Sequence, residues 1–265
     1  MRVLALDFDG VISDSAVESF LVALRTFTHI YPDSRFSKDL DTLAGVDGGG
    51  IRSLSLYRDF LQLMPLGNRA EDFAVALKAL EDGSPVDEQV AFDRVRDRMG
   101  SQSLADFHHS FYRERERLRE ENIEAWLSLL TPYEEFIALL KRRAGEQILA
   151  LATAKDRATV DVLLCAYGIE QLFARDCIVD KEQGRSKRAH LRTLSERLGI
   201  PFRQITFVDD KLNHLEDVSG LGARCVLAGW GYNGERERRG ALERGFVVSD
   251  LVSAEADLFG NSEGT

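Results

Sequence analysis

Cysteine is scarce in this chain. Cys165, Cys177 and Cys225 sit far apart in apolar contexts, with no CxxC spacing and no partnering His. They read as reduced core thiols, which disfavours a disulfide framework or a thiolate metal site. Long apolar runs are missing as well. The first run, Val3-Leu4-Ala5-Leu6, is broken by Asp7 and Asp9, so it is neither a secretory signal nor a membrane span. A soluble protein of a reducing, cytoplasmic compartment is expected, with no membrane partner. Nor is positive charge in excess: the formal net charge is −10 and the pI about 5.1. That balance argues against a nucleic-acid partner, because neutralising phosphates takes clustered Lys and Arg. An arginine-rich tract, Arg113 to Glu121, alternates in sign and reads as a solvated helix face. Apolar residues, by contrast, are plentiful. They make up 44% of 265 residues, enough for a full core in one large domain or two smaller ones.

The first apolar run ends in Asp7-Phe8-Asp9-Gly10-Val11. Residues two apart on a strand face the same way, and like charges that close repel unless a cation or a functional proton is present. Asp and Gly also form turns, so the rest of the chain has to decide between a turn and a site.

Ser15-Ala16-Val17-Glu18 has capping-box spacing, and Phe20, Leu21, Leu24 and Phe27 follow at helical intervals. No strand signal appears from there to about residue 130, while Ser103 to Asp106 forms a second capping box; this segment reads as a helical unit. Thr131-Pro132-Tyr133-Glu134 reads as a capped helix start with a first-turn proline, and Gly145 as that helix's end. The pattern then changes. Strand-like runs at Ile148–Ala152, Cys177–Val179, Ile205–Val208, Arg224–Ala228 and Phe246–Val248 alternate with helical patterns at Arg157–Tyr167, Lys187–Leu198 and Leu212–Val218. Such alternation implies an α/β fold: a doubly wound, Rossmann-like parallel sheet covered on both faces. The N-terminal strand has no neighbour of its own and is expected to join this sheet. Residues 1–14 and 131–265 then form the core, and residues 15–130 an inserted, mostly helical domain.

Three of these strands run into polar residues at their carboxyl ends: Asp7 and Asp9, Thr153, and Asp209 with Asp210. In an open parallel sheet the ligand crevice lies outside those ends. The set suits phosphoryl transfer, in which a carboxylate attacks phosphorus and cations offset the charge. Carboxylate ligands select a hard ion such as Mg²⁺, and Asp7 and Asp210 meet that demand.

Four motifs in order, Asp7-Phe8-Asp9-Gly10-Val11-Ile12-Ser13-Asp14-Ser15, Ala152-Thr153-Ala154-Lys155, a Lys before a helix, and Val208-Asp209-Asp210, resemble those of the haloacid-dehalogenase-like hydrolase superfamily. The chain is similar to its capped phosphatase branch, of the phosphoglycolate phosphatase type, with the helical segment where many members carry a cap domain. The resemblance implies that Asp7 is the nucleophile, Asp9 the general acid and base, and Thr153 a donor to the transferring phosphoryl group. It assigns the phosphate-neutralising lysine to Lys187, with Lys181 as the competitor. It also implies a Mg²⁺ site made of the Asp7 carboxylate, the Asp9 carbonyl and Asp210, with Asp209 orienting the lysine or a water.

Two positions depart from the pattern. Val11 stands where Thr is common, and His214 where many relatives place an acidic residue; His214 is open between a supporting partner and a packed residue. Gly10, Ala154, Lys155 and Arg52 are further candidates for contact with substrate or its neighbours, each against an ordinary reading. Lys155 reads equally as a surface charge, and Arg52 more readily as an ordinary surface arginine. The glycine cluster Gly45-Val46-Asp47-Gly48-Gly49-Gly50 lacks the Gly-Lys-Ser/Thr ending of a P-loop and reads as a loop of the cap. Trp230-Gly231-Tyr232-Asn233 is either a rim of the cleft or a structural turn.

The expected activity is Mg²⁺-dependent hydrolysis of a small phosphorylated metabolite through an aspartyl phosphate. A phosphotransferase or sugar-phosphate mutase shares the same core. A phospho-receiver or regulatory binding domain is the alternative of another class, but it would lack Asp9 and the long insertion.

Overall fold

The computed structural model describes residues 2–43, 48–67, 69–184 and 186–260. Gly45, Val46 and Asp47 of the glycine cluster lie outside the described residues. The chain divides into two compact units, Met1–Asp14 with Pro132–Thr265, and Ser15–Thr131.

The first unit is built on a six-stranded parallel sheet. Its strands are β1 (Val3–Leu6), β4 (Ile148–Ala152), β5 (Ile178–Val179), β6 (Ile205–Asp209), β7 (Arg224–Ala228) and β8 (Val247–Ser249), while β2 (Ser13–Asp14) and β3 (Thr131–Pro132) stand where the chain leaves and rejoins the unit. The order across the sheet is β5-β4-β1-β6-β7-β8. Every residue of β1 is buried, as a central parallel strand with both faces covered requires, and this is why it reads as a continuous apolar run. Leu6 is in register with Leu151 of β4 on one side and Val208 of β6 on the other. The carboxyl ends of β1, β4 and β6 are therefore level, and they lie where the strand order departs in two directions from β1.

Helices Arg157–Ala166, Lys187–Leu198, Leu212–Ser219 and Glu235–Glu243 connect these strands. Asp156 caps the first, its carboxylate accepting from Thr159 N at 2.9 Å, and Ser186 caps the second through Ala189 N at 3.2 Å. Gly199, at φ 63°, ends the second in the left-handed conformation. Leu191, Leu194, Phe207, Leu215 and Leu227 pack in the core these layers enclose.

His190 braces the start of the Lys187–Leu198 helix. It is 2% exposed, and Nε2–H donates to Gly184 O at 2.9 Å, while Nδ1 is buried without a hydrogen-bond partner. Protonating Nδ1 would place a charge there with nothing to accept it. Burial, with the Lys187 charge nearby, accordingly lowers the imidazole pKa to about 4. A folded-state value below the unfolded one, about 6.5, favours the unfolded chain in acid. The stability His190 contributes is present above pH 6.5 and lost as pH falls toward 4. Melts from pH 7.5 to 4 should show His190→Gln, which keeps a donor for Gly184, losing up to about 3 kcal/mol less than the native chain. Parallel profiles would refute the assignment.

The second unit, Ser15–Thr131, is helical, with its longest helices at Ala16–Ile30, Ala70–Glu81, Gln89–Met99 and Ser101–Glu121. Glu18 does not cap its helix: Ser15 makes no side-chain cap bond. Instead the Glu18 carboxylate, 0% exposed, accepts Arg115 Nε and a terminal guanidinium nitrogen at 2.7 Å each, and Trp126 Nε1 at 3.2 Å. A fully buried carboxylate needs such partners more than the helix needs a cap. The second expected capping box also falls inside a helix, which starts at Ser101 after Gly100 with φ 79°. Thr131 and Pro132 lie in β3, and the helix they were expected to open runs from Glu134 to Arg142. Among the described residues no helix is long and apolar enough to cross a membrane.

Candidate active site

Asp7 directly follows β1, Thr153 follows β4, and Asp209 ends β6 with Asp210 next in line. All four are buried. Asp7 N donates to Val208 O at 2.9 Å and Thr153 N to Val179 O at 3.0 Å, so the sheet's own hydrogen bonding continues into the site.

Lys187, the first residue of its helix, reaches back to these strand ends. Its ammonium lies 2.7 Å from Asp7 Oδ2 and 3.2 Å from Asp209 Oδ2, and it donates to Ala152 O at 2.8 Å. Lys181 is directed toward Glu182, at 3.9 Å. Asp209 is held from several sides: it accepts Lys211 N at 2.9 Å and His214 Nδ1 at 3.0 Å to each oxygen. His214 is thus a partner of Asp209. The acidic and imidazole groups of Asp7, Asp209 and His214 lie close enough together to hold a cation, but the Lys187 ammonium already lies between the two carboxylates.

Asp9 projects further out, and its Oδ1 is 3.0 Å from Lys155 Nζ. Lys155 is not a surface charge: it is 3% exposed, and its N–H donates to Thr153 Oγ1 at 3.1 Å. Ala154 between them is exposed. Gly10 adopts φ 78°, and a Cβ there would fall 2.5 Å from Asp210 Cγ; only glycine lets the loop lie against that carboxylate. Arg52 belongs to the helical unit, where its guanidinium donates to Thr131 Oγ1 at 3.2 Å.

The electrostatics are uneven. Burial lifts the Asp7 carboxyl to about 6, with Lys187 offsetting part of the rise and Asp209 adding to it. Asp210 is lifted to about 7, again chiefly by burial, against the pull of Lys211 and with Asp209 and Asp7 adding to the rise. Burial would lift Asp209 too, but His214 and Lys187 outweigh it and hold that carboxyl well below the usual range. Burial likewise opposes the Lys187 charge, and Asp209 and Asp7 overcome it, keeping the ammonium above its ordinary value. Asp209 is compensated, whereas at Asp7 and Asp210 burial outweighs the cationic partners each has. Two under-compensated carboxylates fit a hard divalent cation with oxygen ligands.

A family model, haloacid dehalogenase-like hydrolase, matches residues 1–216. The chain belongs to that hydrolase family. Human magnesium-dependent phosphatase 1 is 44% identical over 41 residues, a match that spans 16% of this hydrolase and only 23% of that protein. Among solved structures, a provisionally assigned phosphoglycolate phosphatase from Lactobacillus delbrueckii subsp. bulgaricus superposes with a TM-score of 0.70 at 16% identity, covering 98% of this chain and 100% of the other. A haloacid dehalogenase-like family hydrolase from Streptococcus pneumoniae gives 0.56 at 14% identity, covering 97% and 98%. At such identities these two establish the shared fold.

Two features of the hydrolase's site escape a reading of its sequence. Lys211 is buried, with its ammonium 5.6 Å from the Tyr232 ring centroid; its place directly after the acidic pair is the one signal that marks it. Tyr167 donates or accepts a 2.7 Å hydrogen bond with Ser13 Oγ, and nothing local in the sequence connects residues that far apart.

Proposed function

We propose that this hydrolase is a Mg²⁺-dependent phosphatase of small phosphomonoesters that carries the phosphoryl group transiently on Asp7. The observation that carries the reading is the buried Lys187 ammonium lying between Asp7 and Asp209, with the under-compensated Asp210 close by. The 41-residue likeness to a protein named for magnesium-dependent phosphatase activity supports it further.

Asp7, Asp210 and the Asp9 carbonyl would hold Mg²⁺, which when bound supplies positive charge against the phosphoryl oxygens. Lys187 stabilises the charge that spreads over the equatorial oxygens, and Thr153 donates to one of them. An Asp7 oxygen forms a bond to phosphorus as the bond from phosphorus to the ester oxygen breaks, and Asp9 gives that leaving oxygen its proton. Asp9 then takes a proton from water, whose oxygen attacks phosphorus. The Asp7–phosphorus bond breaks, freeing phosphate and the original carboxylate. Asp209 and His214 act through Lys187 by keeping its ammonium on this axis.

Phosphate release from a panel of sugar, nucleotide, glycolate and amino-acid phosphates should require Mg²⁺, cease with EDTA and return when Mg²⁺ is restored. Turnover unaffected by EDTA, or none on any phosphomonoester, would count against the proposal.

A further inference from the structure

The turn that follows β7, residues 229–233, contributes no charged group to the proposed chemistry, yet it grips the acidic loop at several points. Tyr232 N donates to Asp210 Oδ2 at 2.9 Å, and Asn233 Nδ2 donates to the Asp210 carbonyl at 3.1 Å and to Ala228 O at 2.8 Å. Gly231 leaves no space: a Cβ there would lie 2.3 Å from Asp210 Cβ and 2.4 Å from Gly10 O. Gly10 is equally tight, and the Asp210 side chain thus packs against two bare glycine backbones.

The same turn holds the loop that carries Asp9. Trp230 Nε1 donates to Val11 O at 3.0 Å, and Tyr232 Oη to Asp14 Oδ1 at 3.1 Å. The turn is itself braced from behind. Gly229 N donates to Ser249 O at 2.7 Å, while Arg238 donates to Asn233 Oδ1 at 3.0 Å and to Gly229 O at 2.6 Å.

Asp7 and Asp210 are both buried carboxylates, and like charges gathered at one place repel until a cation is there. Something has to hold them together before a cation arrives. We propose that Gly231, Tyr232 and Asn233 are positioning residues for the divalent cation: they fix the Asp210 carboxylate against the Gly10 backbone, so that ligand geometry exists without the metal. The inference rests on the metal reading proposed above. Partners that orient ligands typically change metal affinity by about 10–100-fold when removed.

Calorimetric titration of the full chain with Mg²⁺ alone, at pH 7.5 and without substrate, tests this. Gly231→Ala must displace Asp210 or Gly10 and should weaken binding by roughly 10–100-fold. Asn233→Ala, which loses three hydrogen bonds but adds no atoms, should weaken it by about 10-fold. Tyr232→Phe keeps the N–H that holds Asp210 and loses only the hydroxyl contact to Asp14, so it should weaken binding less than Asn233→Ala does. Circular dichroism of each metal-free variant reports folding; if Gly231→Ala does not fold, Asn233→Ala decides. Native affinity in a folded Asn233→Ala or Gly231→Ala overturns the inference while leaving the phosphatase reading standing. No Mg²⁺ binding by the native chain overturns the metal reading first, and the inference with it.

Discussion

Asp7→Asn should lower phosphatase turnover by at least about 10³-fold, because the amide oxygen cannot open a covalent route at phosphorus. The fold should survive, and stability gives the sign. The Asp7 carboxyl stands near 6 in the folded chain, chiefly through burial, above its unfolded value of about 3.9. A carboxyl raised on folding stabilises the native state only while protonated, so that contribution disappears as pH climbs through the folded value. At pH 8 the Asp7 charge is a liability, and Asn removes it. The metal-free variant should therefore melt no lower than the native chain at pH 8, while the native chain regains ground at pH 5.5. Steady-state phosphate release and paired melts at the two pH values check both halves. Substantial Mg²⁺-dependent turnover in the variant, or a lower melting temperature at pH 8, would contradict the role given to Asp7.

Arg115→Ala should be the most damaging single change in the helical unit, costing about 3–5 kcal/mol. It strips the 0%-exposed Glu18 of both guanidinium hydrogen bonds at 2.7 Å, leaving a buried charge against the Trp126 indole N–H. The guanidinium also lies 4.7 Å from the Phe111 ring centroid, and the same truncation removes that cation–π attraction. Glu18→Gln combined with Arg115→Met should recover more than half the loss, because it removes both charges, keeps an acceptor for Trp126 and refills the volume. Denaturant melts of the singles and the double give the coupling. A cost below about 1 kcal/mol for Arg115→Ala would show that water reaches Glu18.

These outcomes also mark where sequence reasoning stops. The sheet was legible because a central parallel strand is apolar along its whole length, as in Val3–Leu6, and because the polar residues at its strand ends break that pattern abruptly. Asp7, Thr153, Asp209 and Asp210 stood out in this way, and the geometry brings Lys187 to Asp7 and Asp209. The helix does start after Ser15, but its capping box is not made, because a capping box is a local rule and the buried Glu18 carboxylate obeys a guanidinium instead. That guanidinium belongs to Arg115, 97 residues from Glu18. The box at Ser103 falls inside a helix already begun at Ser101, where exposed Asp106 accepts from Gln102. In the alternating tract Arg117 pairs with Glu114 and Glu121, and Arg119 with Glu116, as a solvated face should, while Arg115 between them turns inward. Nothing in the local charge pattern distinguishes it. Lys155 and the turn at 229–233 were ambiguous on the same grounds, since their partners Asp9, Val11, Asp14 and Asp210 are remote in the chain.

The central claim is that the Asp7 carboxylate takes the phosphoryl group, and rapid acid quench during turnover of a phosphomonoester with Mg²⁺, followed by mass spectrometry of peptides, tests it most directly. An added phosphoryl group is expected on the peptide containing Asp7, absent with EDTA and absent in Asp7→Asn. Phosphate released in the same reaction with no phosphorylated Asp7 at any quench time, or with the group on another residue, would contradict it.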